Sequence, residues 1–353
     1  MATHQVAVFR GDDASPEVID PTLRIVESLN LPIEFIFPLV GEEAIEATGE
    51  RFPEASKAQI DAASATLFGS TSGNSTQALF YLRWGKQTFA NVRPCKYIPG
   101  AASPLKHPEE IDFVIIRENL EDLYLGLEGP IEDLAGLNLY APHPRTPLKD
   151  LGPGRYAIKA ITEFGAERVI RFAFELARKR NGKKKVTLTS KYNMLAQSDG
   201  LFREIGKQIA AEYPDIAFET FIVDDFLCRM ITKPEVLDVV VTPNLYGDIL
   251  SDGSAGLIGG LGLAPSGCFG RDYAYFESAH GTAPDIQGQN IINPTATLLS
   301  AAMMLDYLGF EHEGERLVAA VHQAYKDPKN LTPDQGGEAT TTEFCSAVSA
   351  ALN

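Results

Sequence analysis

Short apolar runs alternate along the chain with longer stretches in which apolar residues recur at helical spacing. The runs that predict strands cover residues 5–9, 33–37, 62–68, 112–116, 186–188, 217–223 and 236–241. The stretches that predict helices cover residues 16–29, 158–180, 201–212, 295–308 and 315–324. Strands that alternate with helices in this way predict an α/β fold.

The length of the chain, 353 residues, is typical of two domains or of one large domain with a deep interior. Its longest apolar runs, such as residues 33–40, are far shorter than the roughly 18–20 residues that span a bilayer. The N-terminus carries neither a basic region nor an apolar signal core. We therefore expect a cytoplasmic protein that does not bind membranes.

The formal net charge of −16 argues against a nucleic-acid-binding protein, because neutralising phosphates requires a concentrated basic face. One basic cluster, residues 178–185, lies at the end of a predicted helix, where cations complement the helix dipole. A solvated helix end is favoured there over a binding patch. The four cysteines form no C-x-x-C pair, which disfavours a disulfide framework and a zinc site.

A glycine-dense stretch, LIGGLGLAPS at residues 257–266, suggests a dinucleotide-binding loop. However, the G-x-G-x-x-G fingerprint is absent after the first strand, where a Rossmann fold carries it. Taken alone, the stretch is more typical of a tight turn with close helix packing. A bound dinucleotide would therefore lie outside the usual Rossmann arrangement.

Two aspartates, Asp248 and Asp252, stand four residues apart in NLYGDILSD, directly after a predicted buried strand. If a helix begins here, both carboxylates lie on one face near its N-terminus. Two such oxygen ligands suit Mg²⁺ or Mn²⁺, which keep other positions for water or substrate. An N-capping aspartate beside a surface aspartate is the alternative interpretation.

Two further features carry candidate chemistry. The first is a set of three arginines, Arg83, Arg93 in ANVRP and Arg117 in REN, two of which adjoin strand-like segments. Arginine is the residue of choice for bidentate carboxylate binding. Separate surface ion pairs are the alternative. The loop HGTAPDI at residues 280–286 is built from small residues that let backbone approach a ligand, although a simple turn before a helix would look the same.

Four motifs together resemble the β-decarboxylating dehydrogenases: ANVRP, RENxEDxY, NLYGDILSD and HGTAPDI, in this order and at these distances. That family includes isocitrate, 3-isopropylmalate, homoisocitrate and tartrate/D-malate dehydrogenases. The similarity covers nearly the whole chain, from Gly11 to about Phe344. It implies NAD-dependent and Mg²⁺- or Mn²⁺-dependent oxidation and decarboxylation of a 3-substituted malate.

The resemblance also implies which residues act on the substrate. The residues expected to bind it are Arg83, Arg93, Arg117, Leu79, Phe80 and Asn193. Tyr124 resembles the acid that protonates the enol carbon after CO₂ leaves. Lys191 resembles the lysine that assists deprotonation of the C2 hydroxyl.

Asp224, Asp248 and Asp252 resemble the metal ligands of the family. By this resemblance Lys191 and Asp224 reach the site from the other subunit. A site composed in this way implies an obligate homodimer.

The cofactor residues implied by the resemblance are His280, Gly281, Ala283, Asp285, Ile286 and Asn293. Asp285 favours NAD, because its carboxylate can bond the adenosine ribose diol and would repel the 2′-phosphate of NADP. The implied fold has a large cofactor-binding domain from both chain ends (1–99 and 259–353). A smaller central domain (100–258) is expected to bind substrate and to form the dimer.

Two departures from the family pattern affect these expectations. The first loop, usually G-D-G-I-G-P-E, is here GDDASPE at residues 11–17, which places Asp13 and Ser15 where glycines are usual and puts ordinary cofactor positioning in doubt. Before Arg83, Gln77 and Leu79 replace the polar pair of isocitrate enzymes, and Leu79 with Phe80 resembles the leucine pair of isopropylmalate and tartrate/D-malate enzymes.

The C-terminal half, in contrast, is most similar to NAD-isocitrate dehydrogenases. Isocitrate is therefore the favoured substrate on overall similarity, and the other 3-substituted malates are alternatives. A noncatalytic regulatory subunit is a further alternative. It is disfavoured because such subunits lose metal or lysine residues that this chain retains.

Overall fold

The computed structural model of the protein describes residues 3–352. Over this range the strands are β1 (His4–Phe9), β2 (Ile33–Ile36), β3 (Ala65–Phe68), β4 (Ala90–Lys96), β5 (Asp112–Glu118), β6 (Glu128–Pro130), β7 (Tyr140–Ala141), β8 (Thr146–Pro147), β9 (Arg155–Ala157), β10 (Lys185–Ser190), β11 (Ala217–Ile222), β12 (Val239–Thr242), β13 (Pro265–Phe269) and β14 (Ala274–Ser278). The helices are α1 (Pro16–Ser28), α2 (Gly41–Thr48), α3 (Glu54–Ala62), α4 (Thr76–Phe80), α5 (Glu163–Arg180), α6 (Ser198–Ala210), α7 (Val223–Thr232), α8 (Asn244–Ile258), α9 (Thr295–Tyr307), α10 (Glu311–Ala324) and α11 (Thr341–Leu352). The predicted α/β class is confirmed.

Ten strands form one sheet in the order β11-β10-β12-β5-β4-β13-β14-β3-β1-β2. The sheet contains two groups of parallel strands. One group is β11, β10, β12 and β5, and the other is β14, β3, β1 and β2. Strands β4 and β13 lie between these groups and pair antiparallel with each other and with the strand on either side. The four strands that residues 100–258 contribute to this sheet therefore occupy one end of it. Because the sheet is continuous, the division into two domains near Gly100 and Gly259 stays a prediction.

Helices cover both faces of this sheet with apolar side chains. At one end Val186 and Val241 pack against Phe174 and Phe202, which come from α5 and α6. A second cluster joins β5 and β12 to α8, α9, α10 and α11. Strands buried on both faces read as continuous apolar runs, which is why the sequence pattern finds them readily.

Some elements begin at positions that differ from the hydrophobic pattern. Helix α5 begins at Glu163 instead of 158, because Thr162 is extended and its hydroxyl accepts the Gly165 N–H at 3.0 Å as an N-cap. Strand β12 begins at Val239, since Pro234–Val236 forms a 3-10 turn. Helix α10 begins earlier, at Glu311, because a polar first turn hides its periodicity.

The glycine-dense stretch forms the end of α8 and the turn that follows it. Gly259 has φ +124°, and a Cβ there would lie 2.9 Å from the carbonyl oxygen of Ala102. The following Gly260 also has positive φ, +118°. This is the tight turn predicted for the stretch, and both positions require glycine.

The basic cluster at the end of α5 is paired with carboxylates. The pairs are Arg178–Asp215 at 2.5 Å, Lys179–Asp306 at 3.0 Å, Arg180–Asp112 at 2.8 Å and Lys185–Glu219 at 3.1 Å. This supports the solvated helix end over a binding patch. Within residues 3–352, no helix is long and apolar enough to cross a membrane.

An arm at residues 126–158 was not predicted from the sequence. It consists of turns and two small antiparallel sheets, β6 with β9 and β7 with β8. The side chains of Leu137, Tyr140 and Leu151 are exposed on it. Strands of two or three residues are too short to leave a periodic signal.

Candidate active site

Two parallel neighbours, β5 and β12, end at the same edge of the sheet and carry the centre of the site. Arg117 lies at the end of β5, and α8 begins just beyond β12. The Arg117 Nε donates to Asn244 Oδ1 at 2.9 Å, and its Nη1 pairs with Asp248. Gly247 makes this approach possible, since a Cβ there would lie 2.6 Å from the Arg117 side chain. The remaining Arg117 Nη2 is buried with no hydrogen-bond partner among the described residues, which leaves a donor for an anion.

Arg93 and Arg83 converge on the same place. The Arg93 Nη1 donates to Ser251 Oγ at 2.7 Å and to Asp252 Oδ1 at 3.1 Å, and it lies 3.6 Å from Asp248 Oδ1. The Arg83 Nε donates to the Tyr275 hydroxyl at 3.3 Å. Burial, with repulsion from Arg93 and Arg83, lowers the pKa of Arg117, so the three predicted clamp residues are close together.

Asp248 and Asp252 lie on one helix, as predicted, but their environments differ. Burial would raise the pKa of Asp248, yet Arg117, Tyr124 and Arg93 outweigh it and hold that pKa below its usual value. Burial raises the pKa of Asp252, because Arg93 only partly offsets it. Asp248 is therefore the firmly ionised member of the pair. The N-capping part of the alternative interpretation is wrong, since α8 begins at Asn244 after Pro243, whereas Asp252 is exposed, as that alternative had it.

Tyr124 contacts this cluster directly. Its hydroxyl donates to Asp248 Oδ2 at 2.5 Å, and the Arg117 guanidinium lies 4.8 Å from its ring centroid. Burial and the hydrogen bond to Asp248 raise the pKa of Tyr124. The phenol stays protonated at neutral pH and can donate a proton, as an acid must.

Lys191 and Asp224 form a second, separate pair. The Lys191 ammonium bonds the Asp224 carboxylate directly, and that pair is partly exposed. Asn193 is exposed in the turn after Lys191. Within residues 3–352 of one chain, no group of three or more His, Cys, Asp or Glu residues could hold a metal ion, so the three predicted metal ligands are not together.

Sequence reasoning missed several residues of this centre. Asn244 and Ser251 lie within NLYGDILSD and bond Arg117 and Arg93, so the motif itself was the available signal. Glu277 is half-buried, and the charges of the three arginines oppose the rise that burial causes in its pKa. It stands three residues before the HGTAPDI loop, where only its position at the end of a strand could have indicated it.

Five of the six predicted cofactor residues, all except Asp285, line one pocket of about 290 Å³. Its lining consists of Gly262, His280, Gly281, Ala283, Ile286, Ile291, Ile292, Asn293 and Asp334. The Nε2 of His280 is buried with no hydrogen-bond partner in the described part of the chain. The cleft is mostly apolar and leaves this ring nitrogen available to a ligand. Asp285 is exposed beside it, on the 3-10 turn Pro284–Ile286.

Side-chain hydrogen bonds fix the altered first loop beside this pocket. Asp13 adopts φ +53°, the left-handed conformation that aspartate tolerates better than most residues. The Asp12 carboxylate accepts from Thr71 Oγ1 and Ser72 N, both at 2.8 Å. The Glu17 carboxylate accepts the N–H of Gly288 at 2.6 Å and thereby ties the loop to the cofactor pocket. Asp13 thus adopts a conformation that glycine takes readily, and Ser15 lies in the ordinary right-handed helical region.

Leu79 and Phe80 differ in their surroundings. Leu79 is half-buried and packs against an apolar core cluster. The Phe80 ring is 51% exposed and meets Trp84 edge-on with centroids 5.2 Å apart. The Trp84 Nε1 donates to the Leu120 carbonyl at 3.1 Å, which fixes the indole. Phe80 and Trp84 flank Arg83 in the sequence, and their rings contact each other to form one aromatic surface, here called the aromatic wall.

The α/β sheet thus carries clustered arginines beside paired carboxylates, together with a mostly apolar cleft. A sequence profile of the isocitrate/isopropylmalate dehydrogenase family matches residues 5–348. The chain belongs to this family. Its members are decarboxylating dehydrogenases that act on a hydroxy group and include NAD-dependent enzymes, and this chain is an oxidoreductase of that kind.

Similar proteins have more than one substrate in their names. The 3-isopropylmalate/3-methylmalate dehydrogenase of Methanocaldococcus jannaschii is 41% identical over 98% of each chain. A probable mitochondrial NAD isocitrate dehydrogenase subunit alpha of Drosophila melanogaster is 38% identical over 99% of this chain and 88% of its own. The solved isocitrate dehydrogenase of Methylococcus capsulatus aligns with a TM-score of 0.86 at 34% identity, over 99% of each chain.

Proposed function

We propose that the protein catalyses the NAD- and Mg²⁺- or Mn²⁺-dependent oxidative decarboxylation of a 3-substituted malate, and that it prefers an apolar substituent on C3. The observation that carries the proposal is the convergence of Arg93 and Arg117 on Asp248, with the charge of Arg83 acting on the same carboxylate and with a free Arg117 donor. Three cations in one place suit a substrate with two carboxylates. The aromatic wall of Phe80 and Trp84 supports the apolar substituent.

The chain's own residues can supply the proton transfers. Lys191 is the proposed base that takes the proton from the C2 hydroxyl. Bound NAD⁺ would supply the acceptor for the hydride that leaves C2. The C3 carboxylate then leaves as CO₂, and its electron pair passes into an enolate. Tyr124, with its raised pKa, is the proposed donor of the proton that C3 receives.

Asp248 and Asp252 are the residues proposed to hold a divalent cation, with Asp224 of a second copy as the third ligand. Hard carboxylate oxygens are the donors that Mg²⁺ and Mn²⁺ prefer. The bound ion would supply a Lewis acid that stabilises negative charge on the C2 oxygen. The ionised state of Asp248 suits this role.

A homodimer with shared sites is supported by what α7 and α8 expose. Leu227 and Ile231 on α7 and Ile249 on α8 are exposed large apolar side chains. They stand beside Asp224 on α7 and Asp248 on α8. A second copy that covers this face would bury the apolar surface and could bring Asp224 of one copy to Asp248 of the other.

Isocitrate is the second candidate substrate, supported by the isocitrate dehydrogenases among the similar proteins. The experiment that separates the candidates is a panel of isocitrate, homoisocitrate, 3-isopropylmalate, 3-methylmalate, D-malate and tartrate with NAD⁺ and Mn²⁺. We expect the highest kcat/KM for an apolar C3 substituent. Turnover of none of these acids would contradict the proposed function as a whole.

Cofactor preference gives a first prediction. NAD⁺ is expected to exceed NADP⁺ in kcat/KM by at least ~10²-fold, because the Asp285 carboxylate would face the 2′-phosphate of NADP⁺. The Asp285→Asn variant should lower this ratio by removing the repulsion. The exposed Asp272→Asn serves as its control, and equal use of both cofactors by the parent enzyme would show that the ribose assignment is wrong.

The C3 pocket gives a second prediction. Phe80→Asn is expected to raise the isocitrate-to-isopropylmalate ratio of kcat/KM by about tenfold, since each buried methylene contributes roughly 0.8 kcal/mol. Phe80 is a cleaner target than Leu79, whose core packing would also be lost. Phe164→Asn, an exposed aromatic on α5, is the matched control. An unchanged ratio would place the C3 pocket away from the aromatic wall.

A further inference from the structure

A lysine that the proposed reaction does not use lies between two buried carboxylates. The Lys159 ammonium is 2.6 Å from Asp199 Oδ1 and 3.3 Å from Asp122 Oδ1. The lysine side chain is 13% exposed and both aspartate side chains are 0% exposed. The ammonium also lies 4.4 Å from the centroid of the Tyr246 ring. Buried charges with this pairing are rare unless they organise their surroundings.

Each aspartate uses its second oxygen to hold one part of the proposed site. Asp199 Oδ2 accepts the backbone N–H of Lys191 at 2.7 Å. Asp122 Oδ2 accepts the backbone N–H of Leu245 at 3.0 Å, in the first turn of α8 and three residues before Asp248. Lys159 therefore links the two aspartates, and through them it joins the segment that carries Lys191 to the helix that carries Asp248.

The backbone at Asp122 indicates that this link holds a fixed geometry. Asp122 has φ +69° and ψ −144°, which a residue with a side chain rarely adopts. Its N–H donates to the carbonyl of Ala160, the residue after Lys159, at 2.9 Å. Strained backbone persists only where the surrounding contacts determine it, and strain of this kind is concentrated at functional sites.

We propose that Lys159 is a positioning residue that fixes the Lys191–Asp224 pair relative to the Arg117–Tyr124–Asp248 cluster. The inference rests on the proposed function for its kinetic consequence. If each chain contributes one of these parts to each of two shared sites, the bridge sets the spacing on which both sites depend. Misplacement of a reacting group by about 1 Å costs roughly 10²-fold in rate.

Three variants separate positioning from simple stabilisation. Lys159→Met removes the cation and leaves two buried carboxylates without a counter-charge, so it can fail to fold. Asp199→Asn is the safer variant, because it leaves Lys159 paired with Asp122 in a neutral couple. An asparagine at position 199 has only one side-chain oxygen. It therefore cannot replace both Asp199 oxygens, of which one pairs with the Lys159 ammonium and the other accepts the Lys191 N–H. Lys159→Arg keeps the cation and tests rescue.

The experiment measures kcat, KM for NAD⁺ and the hydrogen exchange of the Lys191 amide in the full-length protein. For Asp199→Asn and Lys159→Met we expect a fall in kcat of about 10²-fold with KM for NAD⁺ within about threefold of the parent, as expected for displaced groups in a formed site. The Lys191 amide should exchange faster in both. Lys159→Arg should recover most of kcat, and Lys207→Met, which removes a surface lysine from α6, should change nothing.

The outcomes distinguish this inference from the proposed function. If the parent enzyme oxidises a 3-substituted malate but Asp199→Asn retains full kcat, the positioning role is overturned. Unchanged exchange at Lys191 in Asp199→Asn overturns it as well. If the parent enzyme turns over none of the acids, the proposed function fails, and the Lys191 exchange alone then decides whether Lys159 and Asp199 hold that segment.

Discussion

Asp248→Asn is expected to lower kcat/KM by about 10³-fold, because roughly 4 kcal/mol of charge stabilisation at the C2 oxygen would be lost with the divalent cation. Asp248 is also the residue on which Arg117 and Tyr124 converge. Its neutralisation therefore weakens the metal site and frees the phenol at the same time. The measurement is kcat/KM for the best substrate of the panel at saturating Mn²⁺.

The control for this variant is Asp306→Asn, which removes a carboxylate that pairs with Lys179 on the surface at 3.0 Å. It should retain the activity of the parent enzyme. Melting temperatures and circular dichroism should show that Asp248→Asn is folded, since Asn244 still bonds Arg117. Full turnover of the parent enzyme in excess EDTA would contradict the metal dependence on which the prediction is based.

The sequence allowed much of the fold to be predicted, because its central strands are buried on both faces. The apolar run at 236–241 predicts β12, although the strand begins only at Val239, because Pro234–Val236 forms a 3-10 turn. The elements that were missed have weaker patterns. The arm at 126–158 has strands of two or three residues, and β13 contains proline and glycine in place of β-branched residues.

The centre of the site could be predicted because its residues lie inside short motifs. Arg117 and Asp248 are 131 residues apart, yet each motif follows a strand of one parallel pair, so both fall at the same sheet edge. Lys159, Asp122 and Asp199 lacked such a signal. A lysine and two aspartates that are separated by up to 77 positions look like surface residues until the fold shows that they are buried together.

The separation of Lys191 and Asp224 from the arginine cluster leads to the prediction with the most distinctive result. Lys191→Met and Asp248→Asn should each be nearly inactive as homodimers. When the two variants are co-assembled, we expect about a quarter of the parent activity. Random pairing makes half of the dimers mixed, and each mixed dimer has one site with both residues intact, provided that the dimer is symmetric.

The matched control is a mixture of Lys191→Met with Asp224→Asn. Both substitutions then affect the Lys191–Asp224 pair, which each subunit is proposed to donate to its partner's site, since Lys191 and Asp224 contact each other within one chain. Every site in every mixed dimer lacks one of the two residues, so activity should stay absent. If Lys191 instead served the Asp248 of its own chain, the mixture of Lys191→Met with Asp248→Asn would stay inactive too. Restored activity in that mixture alone requires a site that spans two subunits, with Lys191 and Asp224 donated together.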